Sequence, residues 1–213
     1  MRLRILVADD HAIMRQGLRA LLETAGDLEV VAEARTGREA LARALELAPD
    51  VVIMDVSMPD LNGLDAASRL REKCPNTRVV MLSMHADAEY VYRAFAAGAD
   101  GYLLKESAVD EIITAVRAAH AGRRYVGAGI DIDGALHDVM RKAVSPLESL
   151  SAREREVLQL VVEGHTSAAI ARMVHLSSKT VDTYRSRVMR KVGAKDLSAL
   201  IKFAIQHGLT GSR

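Results

Sequence analysis

The chain has 213 residues, 49% hydrophobic and 27% charged, a balance that excludes a disordered or fibrous polypeptide and is long enough for two ordinary domains. One cysteine, Cys74, excludes an intramolecular disulfide, and Asp9 and Asp10 follow the first apolar residues too soon for a secretory leader or a membrane span, so a cytoplasmic protein is expected. The net charge of +1 hides an asymmetry: residues 1–120 hold 14 Lys and Arg against 19 Asp and Glu (−5), while residues 147–213 hold 11 against 6 (+5), which suggests separate partners and nucleic acid for the basic part.

In chain order, five short apolar runs predict strands: Ile5–Ala8, Val30–Ala32, Val51–Met54, Val79–Leu82 and Tyr102–Leu104. Helical spacing fills the gaps between and after them, at Met14, Leu18, Leu21 and Ala25, at Leu41, Ala44, Leu45 and Ala48, near Leu64–Arg71, at Val91, Ala94 and Phe95, and at Val109, Ile112, Ile113 and Val116. The alternation predicts an α/β domain over residues 1–121, with a five-stranded parallel sheet covered on both faces. Residues 122–146 collect Gly122, Gly127, Gly129, Gly134 and Pro146 and are expected to be a linker with a helical turn or two near Ala135–Ala143. Residues 147–213 are predicted to be helical throughout. Ser151 and Glu154 form a capping box, Gly164 ends that helix, Ser177 caps a later one, and Asp196 caps the last, which stops near Gly208.

In an open parallel sheet, functional groups gather beyond the carboxyl ends of the strands. Here the first run ends in Asp9 and Asp10, the third in Asp55, the fourth in Ser83 and the fifth in Lys105. Three carboxylates at one edge repel one another, so a hard divalent cation is the natural compensation, and magnesium fits best. Lys105 and Ser83 suit the oxygens of a phosphoryl group, and Asp55, alone and central, suits a nucleophile.

Asp9-Asp10, Asp55 with Met58, Pro59 and Gly63, then Ser83 and Lys105, resemble the receiver domain of two-component response regulators, a flavodoxin-like fold. The resemblance implies that Asp55 accepts a phosphoryl group from a sensor histidine kinase. It also implies that Asp10, Asp55 and the main-chain carbonyl of Ser57 bind Mg2+ with help from Asp9. Ser83 and Tyr102 would be the switch pair that turns inward after phosphorylation, and Lys105 the phosphoryl contact. Glu106 departs from the wider pattern, where proline often follows the lysine.

In the second half, Leu150–Leu158, Gly164, Ile170-Ala171, Ser177–Val181 and Lys191-Val192-Gly193 resemble the LuxR-type helix-turn-helix domain of the NarL/FixJ family. Laid on a helix at about 100° per residue, residues 177–192 turn Val181, Val188 and Val192 to one side. Lys179, Thr183, Ser186 and Arg190 fall on the other, flanked by Asp182 and Arg187, which suits the major groove of double-stranded DNA. Thr180 and Lys191 complete the expected DNA-binding set, and Arg185, Lys191 and Lys195 suit phosphate contacts. Asp182 either reads a base or pairs with Lys179 or Arg185. The chain departs from the family at Ser167, Ala168 and Ala169, where asparagine, lysine and glutamate are usual, and at Asp182 and Tyr184. A single recognition helix reads few base pairs, so a homodimer formed on phosphorylation is expected. An aspartate-based phosphatase would share the nucleophile, but Ser57 stands where those enzymes have a second aspartate, and no enzyme is expected.

Overall fold

A computed structural model of the chain describes residues 2–107, 109–130, 147, 149–207 and 209. The turn expected near Ala135–Ala143, with Gly134 and Pro146, lies outside the described residues.

The first domain builds β1 (Leu3–Ala8), α1 (Ala12–Thr24), β2 (Leu28–Ala34), α2 (Gly37–Leu47), β3 (Val51–Asp55), α3 (Gly63–Lys73), β4 (Arg78–Ser83), α4 (Ala88–Ala96), β5 (Gly101–Leu104), α5 (Val109–His120) and β6 (Tyr125–Val126). All neighbouring strands run parallel, in the order β2-β1-β3-β4-β5-β6. Side chains alternate across the pleat, so Leu6, Ala8, Val52, Met54, Val79, Met81 and Tyr102 pack under α2, α3 and α4. Ile5, Val7, Val30, Val51, Ile53, Val80 and Leu103 pack on the opposite face under α1 and α5. Both faces are covered, which is why these strands read as continuous apolar runs.

The sixth strand was not expected. Tyr125–Val126 lies inside the stretch read as a linker, yet it pairs with Gly101 and Tyr102, and the Gly127 amide donates to the Tyr102 carbonyl at 2.9 Å.

Among the described residues four helices follow: α6 (Ala152–Val162), α7 (Ser167–Met173), α8 (Ser178–Val192) and α9 (Leu197–Gln206). The caps fall where the sequence put them. Ser151 and Glu154 close a reciprocal box, Ser177 accepts from the Thr180 amide, and Asp196 accepts from the Ala199 amide. Such a cap contributes about 1 kcal/mol. Gly164 and Gly193 take the left-handed conformation after α6 and α8, with φ of 90° and 71°. Although Ala169 has no side chain to reciprocate, the Thr166 hydroxyl still caps α7. Val157, Leu158, Leu160, Ile170, Val174, Val181, Val188, Leu200 and Ala204 form the core that holds the four helices together. Among the described residues no helix is long and apolar enough to cross a membrane.

Candidate functional site

The chain turns from β1 toward one edge of the sheet and from β3 toward the other, so the carboxyl ends of β1 and β3 face a common crevice. Asp9 follows β1, Asp55 ends β3, Ser83 ends β4 and Lys105 follows β5. The structure brings these together. The Lys105 ammonium lies 2.7 Å from Asp9 Oδ2 and 2.8 Å from Asp55 Oδ2, with both carboxylates buried. Asp10 is exposed at the rim, where its carboxylate meets His11 Nδ1 at 2.8 Å. Ligand atoms of Asp9, Asp10, His11 and Asp55 all lie within 4.8 Å of one another, an oxygen-rich set compatible with a divalent cation.

Burial pushes the Asp55 carboxyl up to about 6, and the negative charge of Asp9 adds to this, while Lys105 and the Ser57 amide work against it. Burial also opposes the charge on Lys105, but Asp55 and Asp9 outweigh that and hold the ammonium above its ordinary value.

Backbone packing fixes Asp55. A Cβ on Gly63 would lie 2.0 Å from the Asp55 carbonyl oxygen, and one on Gly37 would lie 2.2 Å from the Leu61 carbonyl oxygen. Only glycine permits α3 to approach the end of β3, and α2 the loop 56–62, so closely. Ser57 donates its amide to Asp55 Oδ1 at 3.2 Å. Arg15, which sequence reasoning passed over, is buried and donates to the Asp9 carbonyl at 2.7 Å, bracing the loop after β1. Its only sequence signal is its place in the first turn of an otherwise amphipathic helix.

Ser83 is buried and its hydroxyl accepts from the His85 amide at 3.0 Å. Tyr102 is fully buried, and its hydroxyl donates to the His85 carbonyl at 2.8 Å. Burial raises the phenol well above its ordinary range, so it stays a donor. The peptide joining Lys105 to Glu106 is trans.

In the second domain, α8 buries Val181 and Val188 and half-buries Val192. Lys179, Asp182, Thr183, Ser186, Arg187 and Arg190 are exposed, whereas Thr180 is half-buried with its hydroxyl 2.7 Å from that of Ser177. Lys191 is engaged elsewhere: its ammonium donates to Glu154 Oε2 at 2.7 Å and to the Ser149 carbonyl at 3.0 Å, fastening α8 to α6. Burial opposes the Glu154 charge, but Lys191 and the Ser151 cap together hold its carboxyl below the usual range. Two departures from the family pattern meet here. The Ser167 hydroxyl donates to Asp182 Oδ1 at 2.6 Å, a third outcome beside base reading and the pairs considered with Lys179 or Arg185.

An acid site at the strand ends of a doubly wound sheet, followed by a capped helix-turn-helix, defines a class of regulator rather than of enzyme. Comparison with known proteins agrees. The sequence model of the response regulator receiver domain matches residues 5–117, and that of the bacterial regulatory proteins of the luxR family matches residues 148–204. The chain is 35% identical over 208 residues to the transcriptional regulatory protein MctR of Rhizobium johnstonii, covering 98% of this chain and 95% of MctR. It is 34% identical over 209 residues to the response regulator protein VraR of Staphylococcus aureus, covering 98% and 99%. Among solved structures, a LuxR-family two-component response regulator from Aurantimonas sp. SI85-9A1 is 34% identical, with a TM-score of 0.60 over 67% of this chain and all of that one. The chain belongs to the LuxR-family two-component response regulators.

Proposed function

We propose that this protein is a phosphorylation-controlled transcription regulator, in which a sensor histidine kinase phosphorylates Asp55 and phosphorylated copies pair on operator DNA. The observation that carries this reading is the convergence of Asp9, Asp10, Asp55 and Lys105 at one sheet edge. Asp55 Oδ attacks phosphorus, the phosphorus–nitrogen bond to the kinase histidine breaks, and an acyl phosphate forms. Asp10, Asp55 and the Ser57 carbonyl, assisted by Asp9, would hold Mg2+, which neutralises charge on the phosphoryl oxygens. Lys105 takes one phosphoryl oxygen and Ser83 another, with Tyr102 packing behind Ser83. In this scheme residues 1–121, extended by the edge strand Tyr125–Val126, serve as receiver, the rest of 122–146 as linker, and 147–213 as DNA-binding domain. In that domain Lys179, Thr180, Asp182, Thr183, Ser186, Arg187 and Arg190 of α8 face the groove, and Lys191 serves first to fasten the helix.

Acetyl phosphate with Mg2+ should label Asp55 stably, without turnover of other phosphate esters, and light scattering should then give twice the monomer mass together with tighter operator binding. The same mass and DNA affinity before and after labelling would count against the scheme.

Asp182 provides a second check. A carboxylate facing the groove meets a negative surface, so it weakens binding to random DNA while accepting from a suitably placed cytosine. Asp182→Asn is expected to raise non-specific affinity and to remove about 1–3 kcal/mol of discrimination at one operator position. Ser167→Ala, which frees the carboxylate without changing its charge, is expected to alter preference at that same position only. Selection from random DNA that returns one consensus for all three proteins would exclude base reading by Asp182.

A further inference from the structure

The two domains meet along one face of α6, where Glu156, Gln159 and Glu163, three and four residues apart, form a single stripe. Glu156 is fully buried among three guanidinium groups: Arg38 on α2, Arg69 on α3 at 3.0 Å and Arg153 on its own helix at 2.8 Å. Gln159 is also fully buried, donating to the Met58 carbonyl at 2.7 Å and accepting from the Asn62 amide at 2.8 Å. Arg155 pairs with Asp65 on α3 at 2.8 Å. Each of these acids has a guanidinium against it.

Glu163 ends the stripe differently. It caps the carboxyl end of α6, and its Oε1 accepts from the Asp60 amide at 3.1 Å and from the Gln159 side chain at 2.9 Å. Among the described residues no arginine or lysine lies within ion-pairing distance of Glu163 or Asp60, and the one basic group near them is His165, with Nε2 3.7 Å from Glu163 Oε2. Burial opposes the charge of both glutamates on the stripe. For Glu156 the arginines outweigh it and hold the carboxyl below its usual range. For Glu163 burial prevails over the bonds from Gln159 and the Asp60 amide, and the charge of Asp60 adds to it, so this carboxyl lies above its usual range. The carbonyl end of α6 deepens the negative potential at the same place.

The left-handed Gly164 folds the chain back between the other two, so that the His165 amide donates to the Leu160 carbonyl at 3.1 Å and the ring returns to Glu163. Ligand atoms of Asp60, Glu163 and His165 all lie within 4.8 Å of one another. Donors bound at about 2.1 Å to a common ion sit roughly 3–4 Å apart, so these side chains need little adjustment to share one. Two carboxylates and an imidazole suit a transition ion such as Zn2+, which takes oxygen and nitrogen together, better than the hard Mg2+. We infer that Asp60, Glu163 and His165 form a transition-metal site built jointly by the two domains, with solvent completing the coordination. It shares no residue with the cluster of Asp9, Asp10, His11 and Asp55 and does not depend on phosphoryl transfer. Because neither domain alone supplies the set, a bound ion favours the arrangement in which the domains meet.

The test uses the untagged full chain, stripped with chelator and returned to excess Mg2+ so that the cluster at the strand ends is supplied with its hard ion. Titration with Co2+ is expected to give visible absorption bands that saturate at one ion per chain and that Zn2+ abolishes. His165→Ala, which removes a partly exposed ring, and Glu163→Gln should each weaken Co2+ binding by about 10-fold or more, while Asp10→Asn leaves the bands in place. Zn2+ should also slow exchange of the Asp60 amide in the parent and not in His165→Ala. Absence of the bands, equal Co2+ affinity in His165→Ala, or bands lost in Asp10→Asn and kept in His165→Ala would overturn the site. An Asp60 amide that exchanges equally fast with and without Zn2+ would overturn its bridging of the two domains.

Discussion

Asp55→Ala protein incubated with acetyl phosphate and Mg2+ is expected to gain no phosphoryl mass, whereas the parent gains one group per chain. Transfer requires a carboxylate oxygen in line with the phosphorus while acetate departs, and the other two acids of the cluster are poorly placed for this. Asp9 is buried and held by Lys105 and the His11 amide, and Asp10 is exposed at the rim. Lys105→Ala is expected to retain part of the acceptance, since the lysine is not the nucleophile, but to lose the response of DNA binding to phosphorylation. Intact-protein mass spectrometry reads the first effect and a DNA titration the second. Undiminished phosphorylation of Asp55→Ala would move the nucleophile elsewhere.

Asp55→Asn is expected to stabilise the metal-free protein at neutral pH by up to about 3 kcal/mol, the free energy corresponding to a carboxyl raised from 3.8 to about 6. The sign follows from proton binding. Between pH 3.8 and about 6 the folded protein holds the Asp55 proton more tightly than the unfolded chain does, so this residue's contribution to stability falls as pH rises. Below 3.8 both states are protonated and the difference between variant and parent vanishes. Above about 6 the parent bears the full cost of a buried, ionised acid. Urea unfolding in chelator at several pH values measures the gap, and Mg2+ should narrow it by stabilising the parent alone. A gap that does not change with pH would show that burial of Asp55 carries no such cost.

Much of this was legible in the sequence. The five strands were found because strands buried on both faces leave uninterrupted apolar runs, although Arg4, Glu29, Glu33, Arg78 and Ser83 toward their ends were missed because polar residues there interrupt the run. The acid site was legible because the residues that end those runs must share an edge. β6 was hidden for the opposite reason, since Tyr125–Val126 is too short to show a period and is specified by the free edge of β5. Lys191 looked like a phosphate contact because nothing local reveals Glu154, 37 residues away, as its partner. The stripe of Glu156, Gln159 and Glu163 passes for a solvated helix face, and only the folded chain brings Arg38 to it across 118 residues. Polar partners distant in sequence carry no periodic signature.

The boundary between the two domains is made chiefly of guanidinium groups, carboxylates and amides. These groups are as well served by water as by one another, so parting the domains uncovers mainly polar surface. An apolar seam of equal extent would hold more firmly but would expose a sticky face at each release. A seam of this composition suits two domains that meet reversibly, as wet and polar contacts do.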